Sequence, residues 1–127
     1  MKRITEHLVA GEENGPHLVV AAVGQLSNGG AHHFYQIRGK NSADAAATSA
    51  VASIEFQCGA VKEVGINGVQ STALIAIMLD QLRDFQTGPF ACEDNVDAIE
   101  HLKAALTALQ RRTRDRIARG VEGQARP

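Results

Sequence analysis

Apolar and polar residues change rhythm near the middle of the chain. Up to about residue 58 the apolar positions come in short runs broken by turn-forming residues, a pattern that predicts strands. Residues 4–9 alternate loosely, and the series Glu12, Glu13, Asn14, Gly15, Pro16 is a turn signal. Residues 17–26 are rich in Val and Ala. Ser27, Asn28, Gly29 and Gly30 then mark a hairpin, because Asn and Gly accept the positive φ of a tight connection. Residues 31–38 resume as a strand with His33, Phe34, Tyr35 and Ile37, and residues 51–57 form a fourth. Residues 41–50 are small and polar and fit either a short helix or a loop.

After residue 58 the period becomes helical. Gly59, Gly65 and Gly68 punctuate a loop, and a helix is predicted from Ser71 or Thr72 to Phe85. The run 73–79 makes its first half apolar all round, so it needs cover on more than one side. A sheet can provide one cover and a partner chain another. Gln86, Thr87, Gly88 and Pro89 break this helix. A second is predicted from Cys92 to Arg119, with Glu93 and Asp94 in the first turn, where the helix dipole favours acids, and a stop at Gly120. Ile99, Leu102, Leu106, Leu109, Thr113 and Ile117 recur at spacings of three and four as one stripe. The short connection makes the two helices an antiparallel hairpin. The fold class expected is α+β: an antiparallel sheet of about four strands over 1–58, a glycine-containing loop over 59–70, a helical hairpin over 71–120 and a flexible tail over 121–127, in one compact domain.

Composition adds that this core is thin. A chain of 127 residues with no Trp, 4 Phe and 1 Tyr builds its interior from Leu, Ile, Val and Ala, which bury little area each, so oligomerisation is the expected supplement. The apolar run 73–79 is far below the ~20 residues that span a bilayer, and the start of the chain lacks the apolar stretch of a secretion signal. Cys58 and Cys92 form no CxxC pair, which suits a reducing cytoplasm. The net charge of −1 hides an asymmetry: residues 1–110 carry 7 Lys or Arg against 12 acids, and residues 111–127 carry 6 Arg against 2 acids.

That basic end holds one of three candidate sites. Arg112, Arg116 and Arg119 lie within ~60° of one another on a helix, about 100° from the leucine stripe. Guanidiniums gathered this way repel one another unless an anion or solvent intervenes, and Arg suits phosphate through its planar donor fork. A solvated helix end explains them equally well. Asn95 is the second candidate, because it shares the stripe of Leu102, Leu106 and Leu109. A buried amide must be hydrogen-bonded. Either it satisfies the hairpin loop, or it is reserved for a ligand beside Phe85 and Phe90. The third is the loop with Asn67 and Gly68, whose amides open a helix and could face an anion, although no P-loop pattern is present.

In an antiparallel hairpin the arginines approach that loop, while Asn95 lies near Phe85. Asn95 and Arg112 are then about 26 Å apart along one helix at ~1.5 Å per residue, so a dinucleotide-sized ligand touching both needs two chains, most simply a homodimer.

Catalysis finds little support. His32 and His33 are neighbours and point to opposite faces of a strand, and His7, His17 and His101 have no metal-ligand spacing. Glu93, Asp94, Asp97 and Glu100 read as a solvated helix start. A pI near 6.5 and the lack of an aromatic platform argue against nucleic acid.

Several segments together carry a resemblance: Phe56-Gln57; Lys62 to Val69; Phe85-Gln86-Thr87-Gly88-Pro89-Phe90-Ala91-Cys92-Glu93-Asp94-Asn95; Arg112 to Arg116; and Arg119 to Gly123. The chain from about residue 50 to 123 resembles the helical-hairpin family shared by phage anti-CBASS sponges and Thoeris anti-defence sponges, and the strand-rich first part favours the first-described Thoeris branch. Two positions depart from the pattern: Cys58-Gly59-Ala60 stands for Asn-Gly-Pro, and Gln70 for a Thr cap. The resemblance implies a non-enzymatic cytoplasmic protein, without cofactor or metal, that sequesters glycocyclic ADP-ribose made by a TIR-domain sensor. Phe85 would wall in the adenine, Asn95 would hydrogen-bond the ligand, and Arg112 and Arg116 would meet phosphate. Some relatives form hexamers that also hold cyclic trinucleotides at a separate site, which Arg119 would serve. The alternative is a non-catalytic interaction or oligomerisation module with no nucleotide ligand.

Overall fold

A computed structural model describes residues 1–121, 123 and 124. Of the tail expected over 121–127, residues 122 and 125–127 lie outside the described residues. The protein is α+β. The chain divides into two compact units, Met1–Gly59 and Ala60–Pro127.

The first unit is an antiparallel meander of β1 (Lys2–Ile4), β2 (His17–Val23), β3 (Phe34–Lys40) and β4 (Ser49–Glu55), in that spatial order. The first strand is shorter than its alternation suggested. It ends at Ile4 because residues 5–12 close turns, with Leu8 N–H on Thr5 O and Val9 N–H on the Glu12 carboxylate at 2.7 Å. The hairpin at 27–30 forms as expected: Gly29 and Gly30 take φ of 76° and 78°, and Ser27 N–H reaches Ala31 O at 2.9 Å. Residues 41–48 are turns and bends, and 49–50 already belong to β4. Pairing slips between Ile37↔Ala52 and Arg38↔Ala50, leaving Val51 as a bulge. Nearby, Arg38 bonds Thr48 twice, from Nε to Oγ1 at 2.6 Å and from Nη2 to the carbonyl at 3.0 Å. The interior is sparse. Ala21 and Ala22 are its only buried apolar residues among those described, flanked by the edge-to-face pair of Tyr35 and Phe56.

The second unit opens with one helical turn, α1 (Val61–Val64), inside the segment read as loop. It continues into α2 (Ser71–Gln86) and α3 (Glu93–Ala118), both within a residue or two of their expected bounds. The inner stripe of α2 is Thr72, Ile75, Leu79, Leu82 and Gln86, of which Leu79 is buried and the rest half-buried. A second apolar stripe, Leu74, Ile77, Met78 and Phe85, lies on another face, and Ile77 is 64% exposed. The all-round apolarity of this helix is thus only partly covered within its own unit. On α3 the inner stripe runs Asn95, Ile99, Leu102, Leu106, Leu109, Thr113 and then Arg116, with Leu109 already at its exposed margin. Ile117, expected to continue it, is 61% exposed. No helix among the described residues is long and apolar enough to cross a membrane.

Candidate ligand-binding site

One side chain closes most of the hairpin tip. Gln86, the last residue of α2, donates from Nε2 to the Cys92 carbonyl at 3.1 Å and accepts the Cys92 N–H on Oε1 at 3.1 Å. Cys92 provides no side-chain cap to α3, so this amide–backbone pair secures the helix start instead. Asn95 donates from Nδ2 to Gln86 Oε1 at 3.0 Å and to the Phe90 carbonyl at 3.1 Å. Of the two roles open to Asn95 in the sequence, bonding the hairpin loop is therefore present. Phe85 and Phe90 meet edge to face, with ring centroids 6.2 Å apart and planes at 79°. They are 39% and 71% exposed.

The arginines do not form one set. Arg112 is exposed, and its side chain makes no ion pair or hydrogen bond among the described residues. Arg116 is 7% exposed and donates from Nη2 to the Val121 carbonyl at 3.0 Å and the Gln124 carbonyl at 2.7 Å. Burial thus separates Arg116 from Arg112 and Arg119, although the three keep the helical spacing that sets them within ~60° of one another. Arg116 is covered where the chain turns back after α3, and its fork is taken up by two carbonyls of that segment. Arg119 is exposed at the C-cap of α3, its N–H bonded to Asp115 O at 3.0 Å. Chain segments meet at this end: Val121 N–H bonds Arg116 O, and Lys62 N–H of α1 bonds Gly123 O at 3.0 Å. Asn67 is exposed and Gly68 half-buried in the irregular stretch between α1 and α2. Gln70, in place of a Thr cap, contributes no side-chain cap to α2.

The tip thus gathers Phe85, Phe90 and Asn95, and the opposite end carries the arginines. α3 runs unbroken between them, so Asn95 and Arg112 remain about 26 Å apart on one rod. Gln86 was read in the sequence only as part of a helix break. Its signal was its place seven residues after Leu79, a polar group on the inner stripe like Asn95.

A four-strand meander followed by a helical hairpin, with an aromatic–amide tip and an arginine-bearing base, defines a small sheet-plus-hairpin protein. The chain belongs to the Acb2/Tad1 hairpin family, whose model ("Acb2/Tad1, hairpin domain") matches residues 49–114, from the start of β4 well into α3. It is also similar to a protein named Thoeris anti-defense 1 from Bacillus phage SBSphiJ7, with 39% identity over 117 residues, covering 88% of this chain and 80% of that protein.

Proposed function

We propose that this chain is a phage anti-defence sponge that binds glycocyclic ADP-ribose and holds it uncleaved in the cytoplasm of the host cell. The observation that carries this reading is the 39% identity, over most of both chains, to a protein named for action against Thoeris. The geometry supports it. A sponge needs an apolar wall, fixed polar groups and phosphate donors. Phe85 and Phe90 offer the wall, Asn95 the polar group and exposed Arg112 the phosphate donor, with the loop amides at Asn67 and Gly68 beside the phosphates, while Arg116 holds the segment after α3 through the Val121 and Gln124 carbonyls. Because the two ends of α3 are too far apart for one such ligand, the site takes its tip from one protomer and its arginines from another. The exposed stripe of Ile77, Met78 and Phe85 supplies apolar surface for that homodimer. Assembly to a hexamer and a second site for cyclic trinucleotides at Arg119 extend the same reading.

Calorimetry with glycocyclic ADP-ribose, followed by heat denaturation and mass analysis of the released ligand, tests the proposal. Tight binding with intact ligand recovered, lost in Arg112→Ala, is the expected result. A folded dimer that binds neither this ligand nor a cyclic trinucleotide would leave the interaction-module reading. A consumed ligand would make the protein an enzyme.

A further inference from the structure

We infer that Gln86 is a positioning residue that holds Asn95 with its carbonyl oxygen Oδ1 outward, so that the ligand group received there is a hydrogen-bond donor. The inference rests on the binding role proposed for Asn95. It follows from polarity passed along a chain of contacts.

A backbone N–H can only donate and a backbone carbonyl can only accept. Gln86 bonds both groups of Cys92, which fixes which end of its amide is which: Oε1 faces the Cys92 N–H and Nε2 faces the Cys92 carbonyl. The Asn95 atom 3.0 Å from Oε1 must then be a donor, and the same atom also faces the Phe90 carbonyl. A side-chain amide nitrogen carries two hydrogens. Both are engaged, and the flipped rotamer would set Oδ1 against two acceptors. Oδ1 has no hydrogen-bond partner among the described residues, yet Asn95 is half-buried and contributes no sealed, unsatisfied atom. Oδ1 is therefore open to solvent at the hairpin tip that also carries Phe85 and Phe90.

An outward acceptor at this tip selects for an N–H or O–H and disfavours a phosphate oxygen at that point. A purine amino group and a ribose hydroxyl both qualify. Either choice puts the nucleoside part of the ligand at the tip and leaves its phosphates to the arginines. Discrimination then belongs to a pair of residues rather than to Asn95 alone, since Gln86 need not touch the ligand.

The test compares affinities of the intact protein for glycocyclic ADP-ribose, its hypoxanthine counterpart and a counterpart with a ribose hydroxyl replaced by hydrogen. Loss of the donor that Oδ1 receives is expected to weaken binding about tenfold or more, and the arm in which this occurs identifies the source. Gln86→Met removes one of the two acceptors that fix the Asn95 amide and leaves only the Phe90 carbonyl, so the discrimination should fall. A merely structural Gln86 would weaken all three ligands alike. Gln86→Glu still accepts from Asn95 Nδ2 and should keep the discrimination. If both counterparts bind as tightly as the parent ligand, or if Gln86→Met leaves the ratio unchanged, the inference is overturned while the sponge reading stands. If the parent ligand does not bind, both fall together. Should Gln86→Met fail to fold, NMR of the wild-type side-chain amides decides: both Asn95 Nδ2 protons should be protected from exchange, and free exchange would refute the arrangement.

Discussion

Replacing Arg116 should cost the second unit much more stability than replacing its neighbour Arg112. Arg116 is 7% exposed, and its Nη2 holds two carbonyls, Val121 O at 3.0 Å and Gln124 O at 2.7 Å. A hydrogen bond to a charged group contributes about 1.5–3 kcal/mol. The freed carbonyls lie beyond the end of a helix and can rehydrate, so the lower end applies to each. Two such bonds give a destabilisation of about 3 kcal/mol for Arg116→Ala, to which lost packing of the aliphatic stem adds. In a unit this small that corresponds to a drop in melting temperature of roughly 12–24 °C. Arg112→Ala removes an exposed side chain and should stay within about 0.5 kcal/mol. Arg116→Lys keeps the charge but not the planar fork, and should recover only part of the loss. Urea or thermal unfolding at fixed protomer concentration measures all three. Amide exchange adds a local readout: the Val121 and Lys62 amides, bonded to Arg116 O and Gly123 O, should exchange faster in Arg116→Ala. Equal and small effects of Arg116→Ala and Arg112→Ala would refute the reasoning.

Gly123 sits at φ +79°, and a Cβ there would come within 2.7 Å of Lys62 Cγ. Gly123→Ala should destabilise by about 1–2 kcal/mol, and adding Lys62→Ala should relieve the clash but not the backbone strain, which a double-mutant cycle in urea resolves. Arg38→Ala removes two bonds to Thr48 beside the β4 bulge and should cost about 1–2 kcal/mol, read in unfolding monitored from the sheet. Ile77→Asp, at an exposed position on α2, should leave the fold intact but shift sedimentation toward monomer. An unchanged sedimentation profile would remove the second apolar stripe of α2 from the proposed dimer contact.

Much of the architecture is local, and the residue pattern carried it. The positive-φ pair Gly29 and Gly30 marked the first long hairpin. The spacing of apolar residues delimited α2 and α3 closely, because a helix repeats every 3.6 residues whatever it packs against. Strand limits were less legible. β1 ends at Ile4, where the alternation over 4–9 begins, because residues 5–12 found turn partners, and β4 began two residues early, before a bulge that periodicity cannot express. The one-turn helix α1 was hidden among glycines, since four residues are too few to set a period.

By itself, then, the sequence determined the sheet-then-hairpin order, the two long helices, and the presence of Phe85 and Asn95 at one end of the hairpin and the arginine series at the other. Only the tertiary structure decided what the polar side chains on the stripes do. Gln86 and Asn95 meet across a hairpin connection, and Arg116 meets carbonyls of a segment that turns back after the helix has ended. Periodicity assigns a residue to a face. Which donor faces which acceptor depends on atomic distances between segments, and these exist only after the chain has closed its loops.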